Sequence, residues 1–239
     1  MYSNRLLLGL VALTALAAPS TGAALAIRAK SAVSATQALA GLRVAHEAYS
    51  SPATTSSPLE LVPARRPLTG EQTMLPVLGR AVGPAGVAWL HVRLPGRPNG
   101  LTGWIEATGT QAAATSWHLT VHTTTRLVDV YDRGRLLRTF KAVVGKPSTP
   151  TPAGEFFVEE AIQLQPSNVG APFALALSAR SNVLQEFDGG PGQIAFHGLD
   201  NVGGTPGTAV SHGCIRLTDE AMKWLVLRIG PGTPVTIAG

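Results

Sequence analysis

Short apolar segments separated by turn residues run through residues 59–110 and constrain how this part of the chain can fold. Strands this short, with turns this frequent, predict a small all-β module over residues 59–110. The apolar segments are Leu75-Pro76-Val77-Leu78, Trp89-Leu90-His91-Val92-Arg93-Leu94 and Gly103-Trp104-Ile105, and the turns are Gly83-Pro84, Pro95-Gly96 and Pro98-Asn99-Gly100.

Residues 116–239 continue as strands, with one helix near the end. Residues 118–123 alternate as a strand, residues 126–131 form a second one, and the turn Asp132-Arg133-Gly134 predicts a hairpin with the strand that follows. Further predicted strands lie at residues 156–158, 194–196 and 234–237, and a helix runs from its N-cap Thr218 to about Arg228. The sequence therefore predicts a mainly β protein, with an antiparallel β domain carrying one late helix after the small all-β module.

The N-terminus has the pattern of a signal peptide. Arg5 precedes an apolar stretch that ends near Ala18, and Ala24-Leu25-Ala26 forms a small-x-small cleavage signal. The apolar stretch is about 13 residues long, whereas a membrane span needs roughly 18. We expect residues 1–26 to be cleaved after export to the cell wall or periplasm, with an uncleaved membrane anchor as the alternative.

Residues 27–58 are rich in alanine, serine, threonine and proline. This composition predicts a linker, and its end at Ser50–Pro58 has the clearest linker composition. Within it, residues 33–49 favour a short helix because alanine, leucine, glutamine and arginine dominate them. A disordered segment over the whole of residues 27–58 is the alternative.

The charge of the chain is modest and evenly spread. Only 14% of the residues are charged, the formal net charge is +5 and the sequence pI is about 9.9. Such a charge suits contact with an anionic wall polymer, or it keeps the protein soluble. No run of lysine and arginine with interleaved aromatic residues occurs, so we expect no nucleic-acid partner.

Cys214 is the only cysteine in the chain. Exported proteins usually carry cysteines in pairs that form disulfides, and a single one cannot close a bridge within the chain. From the count alone it is buried filler, an intermolecular link or a reactive thiol.

The surroundings of Cys214 favour a reactive thiol. The segment Ser211-His212-Gly213-Cys214 follows His197-Gly198 after a glycine-rich stretch that can fold back and bring His197 to the thiol. An imidazolium beside a thiol lowers the thiol pKa and creates a nucleophile. Glycine lets the backbone approach a substrate carbonyl, and the N–H groups around Gly213 and Cys214 can hold an oxyanion.

These residues resemble the signature of the L,D-transpeptidases, read here as His197 with Ser211-His212-Gly213-Cys214-x-Arg216. Two further stretches match, namely Val144-Gly145-Lys146 with Thr149-Pro150-Thr151-Pro152-x-Gly154-x-Phe156, and Gly190-x-Gly192-Gln193-Ile194-Ala195-Phe196-His197-Gly198. The resemblance covers roughly residues 116–238. In the preceding module, the pattern around Trp89 and Trp104 resembles bacterial SH3-like modules.

The resemblance implies a mechanism. Cys214 attacks the carbonyl of the third residue of a peptidoglycan stem, terminal D-alanine leaves, and the side-chain amine of another stem resolves the thioester into a 3→3 cross-link. His197 is the base and the Gly198 carbonyl holds its ring, while His212 orients the motif. Arg216 holds a stem carboxylate or braces the loop.

The resemblance also sets the remaining expectations. Ser211 lies with Arg216 in the substrate-binding loop, although its hydroxyl can equally bond the backbone. No tyrosine follows Tyr131, so only backbone donors are expected in the oxyanion hole. No cofactor and no metal is implied, carbapenem β-lactams are expected to acylate Cys214, and the protein is expected to be a monomer.

Two other functions stay open at this point. In an L,D-carboxypeptidase, water would resolve the same thioester. In an inactive wall-binding protein, residues 59–110 would hold the chain to the wall.

Overall fold

The computed structural model describes residues 33–187 and 189–239, so the predicted signal peptide over residues 1–26 lies outside the described residues. The described part is mainly β with one late helix, as predicted. No helix in it is both long enough and apolar enough to cross a membrane. The elements are β1 (Gln37–Leu42), β2 (His46–Tyr49), β3 (Pro58–Val62), β4 (Met74–Val82), a 3₁₀ turn (Pro84–Gly86), β5 (Ala88–Arg93), β6 (Thr102–Glu106), β7 (Thr110–Thr115), β8 (Trp117–His122), β9 (Leu127–Asp132), β10 (Arg135–Lys141), β11 (Val144–Gly145), β12 (Gly154–Gln163), β13 (Phe173–Arg180), β14 (Gln193–Gly198), β15 (Ala209–Ser211), β16 (Ile215–Leu217), α1 (Asp219–Val226) and β17 (Pro234–Ala238).

The first seven strands form one sheet in the order β3-β2-β6-β5-β4-β1-β7, with antiparallel neighbours throughout. The prediction of a linker or short helix at residues 27–58 is therefore wrong for its described part. β1 pairs with both β4 and β7, and this pairing buries Leu39 and Leu42. Cross-strand packing overrides the helix propensity of an alanine-rich segment. The module thus begins near Gln37 and ends near Thr115, and its likeness to SH3-like modules stays a prediction.

The second sheet has eight strands in the order β10-β9-β8-β17-β12-β13-β14-β16. Its hairpin between β9 and β10 turns at Arg133 and Gly134, whose φ angles are 50° and 71°. Two neighbouring pairs are parallel, β8 with β17 and β14 with β16, whereas the sequence predicted antiparallel strands. β11 and β15 form a separate two-stranded parallel ribbon beside this sheet.

The helix α1 covers one face of the eight-stranded sheet. Thr218 accepts a hydrogen bond from the Ala221 N–H at 3.2 Å, as expected of an N-cap. Met222 and Leu225 are fully buried in the core that also contains Phe196 of β14 and Ile215 of β16. Packing against α1 therefore determines which face of β14 and β16, the strands beside the motif, points into the core.

Strand β12 connects the two sheets through consecutive phenylalanines. Phe156 lies in the core beneath α1, and Phe157 lies in the core of the seven-stranded sheet. Because successive strand residues point to opposite faces, β12 is covered on both sides. The seven-stranded sheet thus packs on the face of the larger sheet that α1 leaves uncovered.

A buried charged cluster lies in the same junction. The Glu159 carboxylate pairs with Arg66, and Arg180 Nη2 lies 3.0 Å from its Oε1. Glu160 Oε2 accepts hydrogen bonds from the backbone N–H groups of Leu68 and Thr69 at 3.2 and 3.0 Å. Charges from both sheets are therefore matched across the junction.

Candidate active site

The parallel pair of β14 and β16 sets the positions of the motif residues. Phe196 lies opposite Ile215 and both point into the core, so His197 and its partner Arg216 face the other side. Cys214 precedes Arg216 by two residues and shares that face. Diagonal neighbours on one face lie roughly 7 Å apart, within reach of a histidine ring. The structure thus brings His197 and Cys214 to the same face of adjacent strands, opposite α1.

A backbone carbonyl fixes the tautomer of His197. The Gly198 oxygen lies 2.8 Å from His197 Nδ1, and a carbonyl can only accept, so Nδ1 carries the proton. The other ring nitrogen, Nε2, is then the basic one. This is the bond that the resemblance implied for Gly198.

The loop between β12 and β13 packs on the His197 ring. A Cβ added at Gly170 would lie 2.6 Å from His197 Nδ1, so only glycine allows this approach. The Gly198 N–H donates to the Gly170 carbonyl at 2.9 Å, and the Gly170 N–H donates to Asn201 Oδ1 at 2.9 Å. Gly170 and Asn201 were not predicted as site residues, because nothing near them in sequence indicates contact with His197.

Ser211 closes the turn that presents the thiol. Its hydroxyl donates to the Cys214 carbonyl at 2.6 Å and accepts the Gly213 N–H at 3.1 Å. Ser211 is fully buried and both of these hydrogen bonds go to the backbone, which is the backbone role that the sequence left open, while its assignment to substrate binding stays a prediction. Thr151 adds a hydrogen bond to the Gly213 carbonyl at 2.8 Å. The Thr-Pro-Thr-Pro stretch therefore holds the backbone of the motif turn in place through Thr151.

The N–H groups of Gly213 and Gly198 both have partners within the protein. The Gly213 N–H donates to the Ser211 hydroxyl, and the Gly198 N–H donates to the Gly170 carbonyl. Gly213 has a φ of 123°, and a Cβ there would press on Ile194 at 3.0 Å. Gly213 thus shapes the turn, Gly198 holds His197, and a role for the Gly213 N–H in an oxyanion hole stays a prediction.

His212 and Arg216 lie at the edges of the site. The His212 ring is exposed, stacks on Phe187 with centroids 5.6 Å apart, and its Nε2 lies 3.4 Å from Lys146 Nζ. Arg216 Nη1 donates to the Gly203 carbonyl at 3.1 Å, which supports the loop-bracing alternative. Phe187 was not predicted from the sequence, and Lys146 was given no role there, although Lys146 lies in a stretch that resembles the family.

Burial governs the protonation of both reactive groups. It raises the pKa of the Cys214 thiol above its ordinary 9.0, although the Ala195 N–H and the Arg216 charge act in the opposite direction. Burial also lowers the pKa of His197 below 6.5. The Arg216 charge lowers this pKa further, whereas the Gly198 hydrogen bond raises it. The expected imidazolium that lowers the thiol pKa is therefore not what the structure favours. At neutral pH the pair is a neutral thiol beside a neutral imidazole.

The described residues contain no group of three or more histidine, cysteine, aspartate or glutamate side chains that could hold a metal ion. The arrangement of His197 and Cys214 places a thiol on the same sheet face as a base, which suits attack on a carbonyl.

The family model for the L,D-transpeptidase catalytic domain, YkuD, matches residues 116–237, which is over half of the chain. The chain belongs to the YkuD family. The matched range contains every motif residue discussed above and leaves the seven-stranded sheet outside it.

Two curated relatives also match the chain over part of its length. The YkuD protein of Bacillus licheniformis is 35% identical over 115 residues, covering 47% of this chain and 59% of that protein. L,D-transpeptidase 1 of Mycobacterium tuberculosis is 30% identical over 118 residues, covering 44% of each. The match thus spans only about half the length of these relatives. The structure of LD transpeptidase LdtMt1 in complex with imipenem aligns with 85% of this chain and 82% of that one, at 18% identity and a TM-score of 0.41.

Proposed function

We propose that this chain is an exported L,D-transpeptidase that cross-links peptidoglycan stems through a thioester on Cys214. The observation that carries the proposal is the placement of His197 and Cys214 on one sheet face, with His197 Nδ1 bound to the Gly198 carbonyl. That hydrogen bond leaves Nε2 free to take a proton. The family match supports an acyltransferase of this kind.

In the first half-reaction, Cys214 Sγ attacks the carbonyl carbon of the third stem residue while its proton passes to His197 Nε2. Because the thiol starts neutral, proton transfer accompanies attack rather than preceding it. The Cys214 N–H is the donor we assign to the resulting oxyanion, since the Gly213 N–H is already donated to Ser211. The tetrahedral intermediate then collapses, the proton on His197 passes to the leaving amine, and D-alanine departs from the thioester.

In the second half-reaction, the side-chain amine of another stem attacks the thioester. His197 takes the proton from that amine, and the thiolate leaves and is reprotonated. The product is a 3→3 cross-link. With water in place of the amine the product is a trimmed stem, which is the carboxypeptidase reaction.

The exposed edge of the site suits an anionic peptide. Lys146 Nζ lies beside the His212 ring, and the net charge of the chain is +5. A stem peptide carries carboxylates that an ammonium group attracts. The same thiol is the proposed target of carbapenems, whose strained amide carbonyl is an acyl donor.

The decisive experiment is intact-mass spectrometry of the purified chain after incubation with a carbapenem. We expect one covalent adduct on the wild-type protein. We expect none on a Cys214→Ser variant whose circular dichroism spectrum matches that of the wild type. A folded wild-type protein without an adduct would support the inactive wall-binding alternative. Product analysis with a tetrapeptide donor, with and without an amine acceptor, then separates cross-linking from hydrolysis.

A further inference from the structure

The loop of residues 181–192 forms one side of the candidate active site. It leads into β14, whose first residue, Gln193, has its carbonyl oxygen 3.9 Å from Cys214 Sγ. The loop carries Phe187, which is 52% exposed and stacks on His212. We call Phe187 and His212 the aromatic wall. His212 lies two residues before Cys214, so the pair presents exposed ring surface at the edge of the site, where the side chains of a donor peptide would lie.

An arginine of the seven-stranded sheet holds both ends of this loop. Arg97, between β5 and β6, donates from Nη1 to the Pro191 carbonyl at 2.8 Å and from Nη2 to the Ser181 carbonyl at 2.8 Å. Its Nη2 also lies 3.2 Å from the Leu184 carbonyl. The planar guanidinium has donors in a fixed arrangement, so it sets the distance between the loop ends.

Asn99 adds a second attachment from the same loop of the seven-stranded sheet. Its Oδ1 accepts the Arg180 N–H at 2.8 Å, and its Nδ2 donates to the Arg180 carbonyl at 2.7 Å. Nδ2 also lies 3.0 Å from Asn182 Oδ1. The amide therefore pairs with the backbone at the point where β13 ends and the 181–192 loop begins.

The loop has little apolar burial of its own. Val183 and Phe187 are both about half exposed, and the hydrogen bonds within the loop include the Ser181 N–H to the Gly192 carbonyl and the reciprocal pair between Phe187 and Gly190. A segment with few buried apolar contacts depends on its polar contacts for a fixed position. Those supplied by Arg97 and Asn99 come from outside the family match.

We infer that Arg97 and Asn99 are positioning residues for the reaction at Cys214, because they fix the aromatic wall against which the donor peptide binds. This inference rests on the proposed function. It makes the seven-stranded sheet part of the donor site, because Arg97 and Asn99 act on the site through the ends of the 181–192 loop.

Two readouts on the full chain test the inference. The first is KM and kcat for D-alanine release from a tetrapeptide stem. The second is hydrogen–deuterium exchange of residues 181–192, which needs no substrate. The variants are Arg97→Ala, Asn99→Ala and, as matched control, Arg80→Ala, which removes an exposed arginine from β4 of the same sheet. Alkylation of Cys214 by iodoacetamide reports on the thiol alone.

For Arg97→Ala we expect KM to rise roughly tenfold because the bound peptide loses an oriented wall. Exchange at residues 181–192 should become faster, and the alkylation rate should stay within about twofold of wild type. Asn99→Ala should change the same quantities less, and Arg80→Ala should match wild type. If Arg97→Ala does not fold, Asn99→Ala and Arg97→Lys are judged by the same criteria.

The inference is overturned if Arg97→Ala leaves both KM and loop exchange unchanged, or if Arg80→Ala raises KM equally. It is also overturned if alkylation slows in parallel with D-alanine release, since the thiol itself would then be affected. If the wild-type protein releases no D-alanine, but Arg97→Ala still speeds exchange at residues 181–192, the proposed function is rejected. The conclusion that Arg97 holds the loop in place would then stand.

Discussion

Two sets of polar side chains lie on the same face of the eight-stranded sheet, and they differ in burial and in the charges beside them. In the junction, Glu159 is fully buried and is flanked by Arg66 and Arg180. In the candidate site, His197 and Cys214 are partly buried near Arg216, and no carboxylate contributes to the shift of either pKa. Burial raises the pKa of Glu159 as well, but the Arg180 and Arg66 charges act against that rise and favour the carboxylate, whereas for His197 both burial and the Arg216 charge favour the neutral ring.

This contrast explains why one set is structural and the other reactive. A neutral thiol beside a neutral imidazole can exchange a proton during attack without first separating charge. The paired carboxylate of Glu159 has no such freedom, since losing its charge leaves Arg180 without its carboxylate and leaves Arg66 with Glu160 alone, at 3.8 Å. The three predictions below test each side of the contrast, beginning with the largest effect.

The junction should lose the most stability when one charge is removed. Glu159→Gln leaves Arg66 and Arg180 buried without their carboxylate, and we expect the free energy of unfolding to fall by about 3 kcal/mol. Chemical denaturation measures it. The control Glu47→Gln neutralises an exposed carboxylate of β2 and should change stability by less than about 0.5 kcal/mol. A loss below about 1 kcal/mol for Glu159→Gln would mean that pairing does not hold the junction.

The candidate site should lose activity when the support of His197 is displaced. In Gly198→Ala the new Cβ would lie 2.1 Å from the Ala171 carbonyl, so the backbone that holds His197 Nδ1 must move. We expect the rate of carbapenem acylation to fall roughly a hundredfold. Gly230→Ala is the matched control, because nothing lies within 4 Å of its Cβ position. Equal rates for the two variants would show that the Gly198 carbonyl does not position the base.

The pH dependence should show the smallest effect and the clearest sign. Because the pKa of His197 is lowered, the imidazole stays mostly neutral at pH 6.5, and acylation should vary less than about twofold between pH 6.5 and 8. Alkylation by iodoacetamide should rise with a midpoint above 9.0, since the thiol pKa is raised. An acylation rate with a pH midpoint at or above 6.5, or an alkylation rate with a pH midpoint below 9.0, would contradict a neutral thiol beside a neutral imidazole.

The same shift of His197 has a consequence for stability. The unfolded chain binds a proton as the pH falls through 6.5, while the folded chain does not until lower pH. The contribution of neutral His197 is therefore present above pH 6.5 and is lost as the pH falls through its lower folded value.

The sequence predicted those parts of the molecule that depend on neighbours along the chain. The motif from Ser211 to Cys214, the hairpin at Gly134 and the cap at Thr218 are all local patterns, and the structure contains each turn or cap. The tautomer of His197 also follows from an adjacent residue. Local chemistry therefore identified the site and much of its backbone.

What the sequence did not reveal depends on contacts between distant segments. The helix predicted for residues 33–49 is replaced by β1 and β2, because their partners lie far along the chain. The pKa directions of His197 and Cys214 reverse the expectation from adjacency, because burial outweighs the nearby ring. Gly170 approaches His197 only after β12 and β13 have paired.

The two phenylalanines of β12 have a consequence for how the protein can be divided. A fragment that begins at residue 116 retains the whole family match but removes the core around Phe157 and the arginine that pairs with Glu159. The Phe157 ring and the Glu159 carboxylate would then be exposed to water on the sheet face that carries Cys214. We therefore expect the natural unit of folding to be larger than the unit of homology, and the two sheets to unfold in one transition.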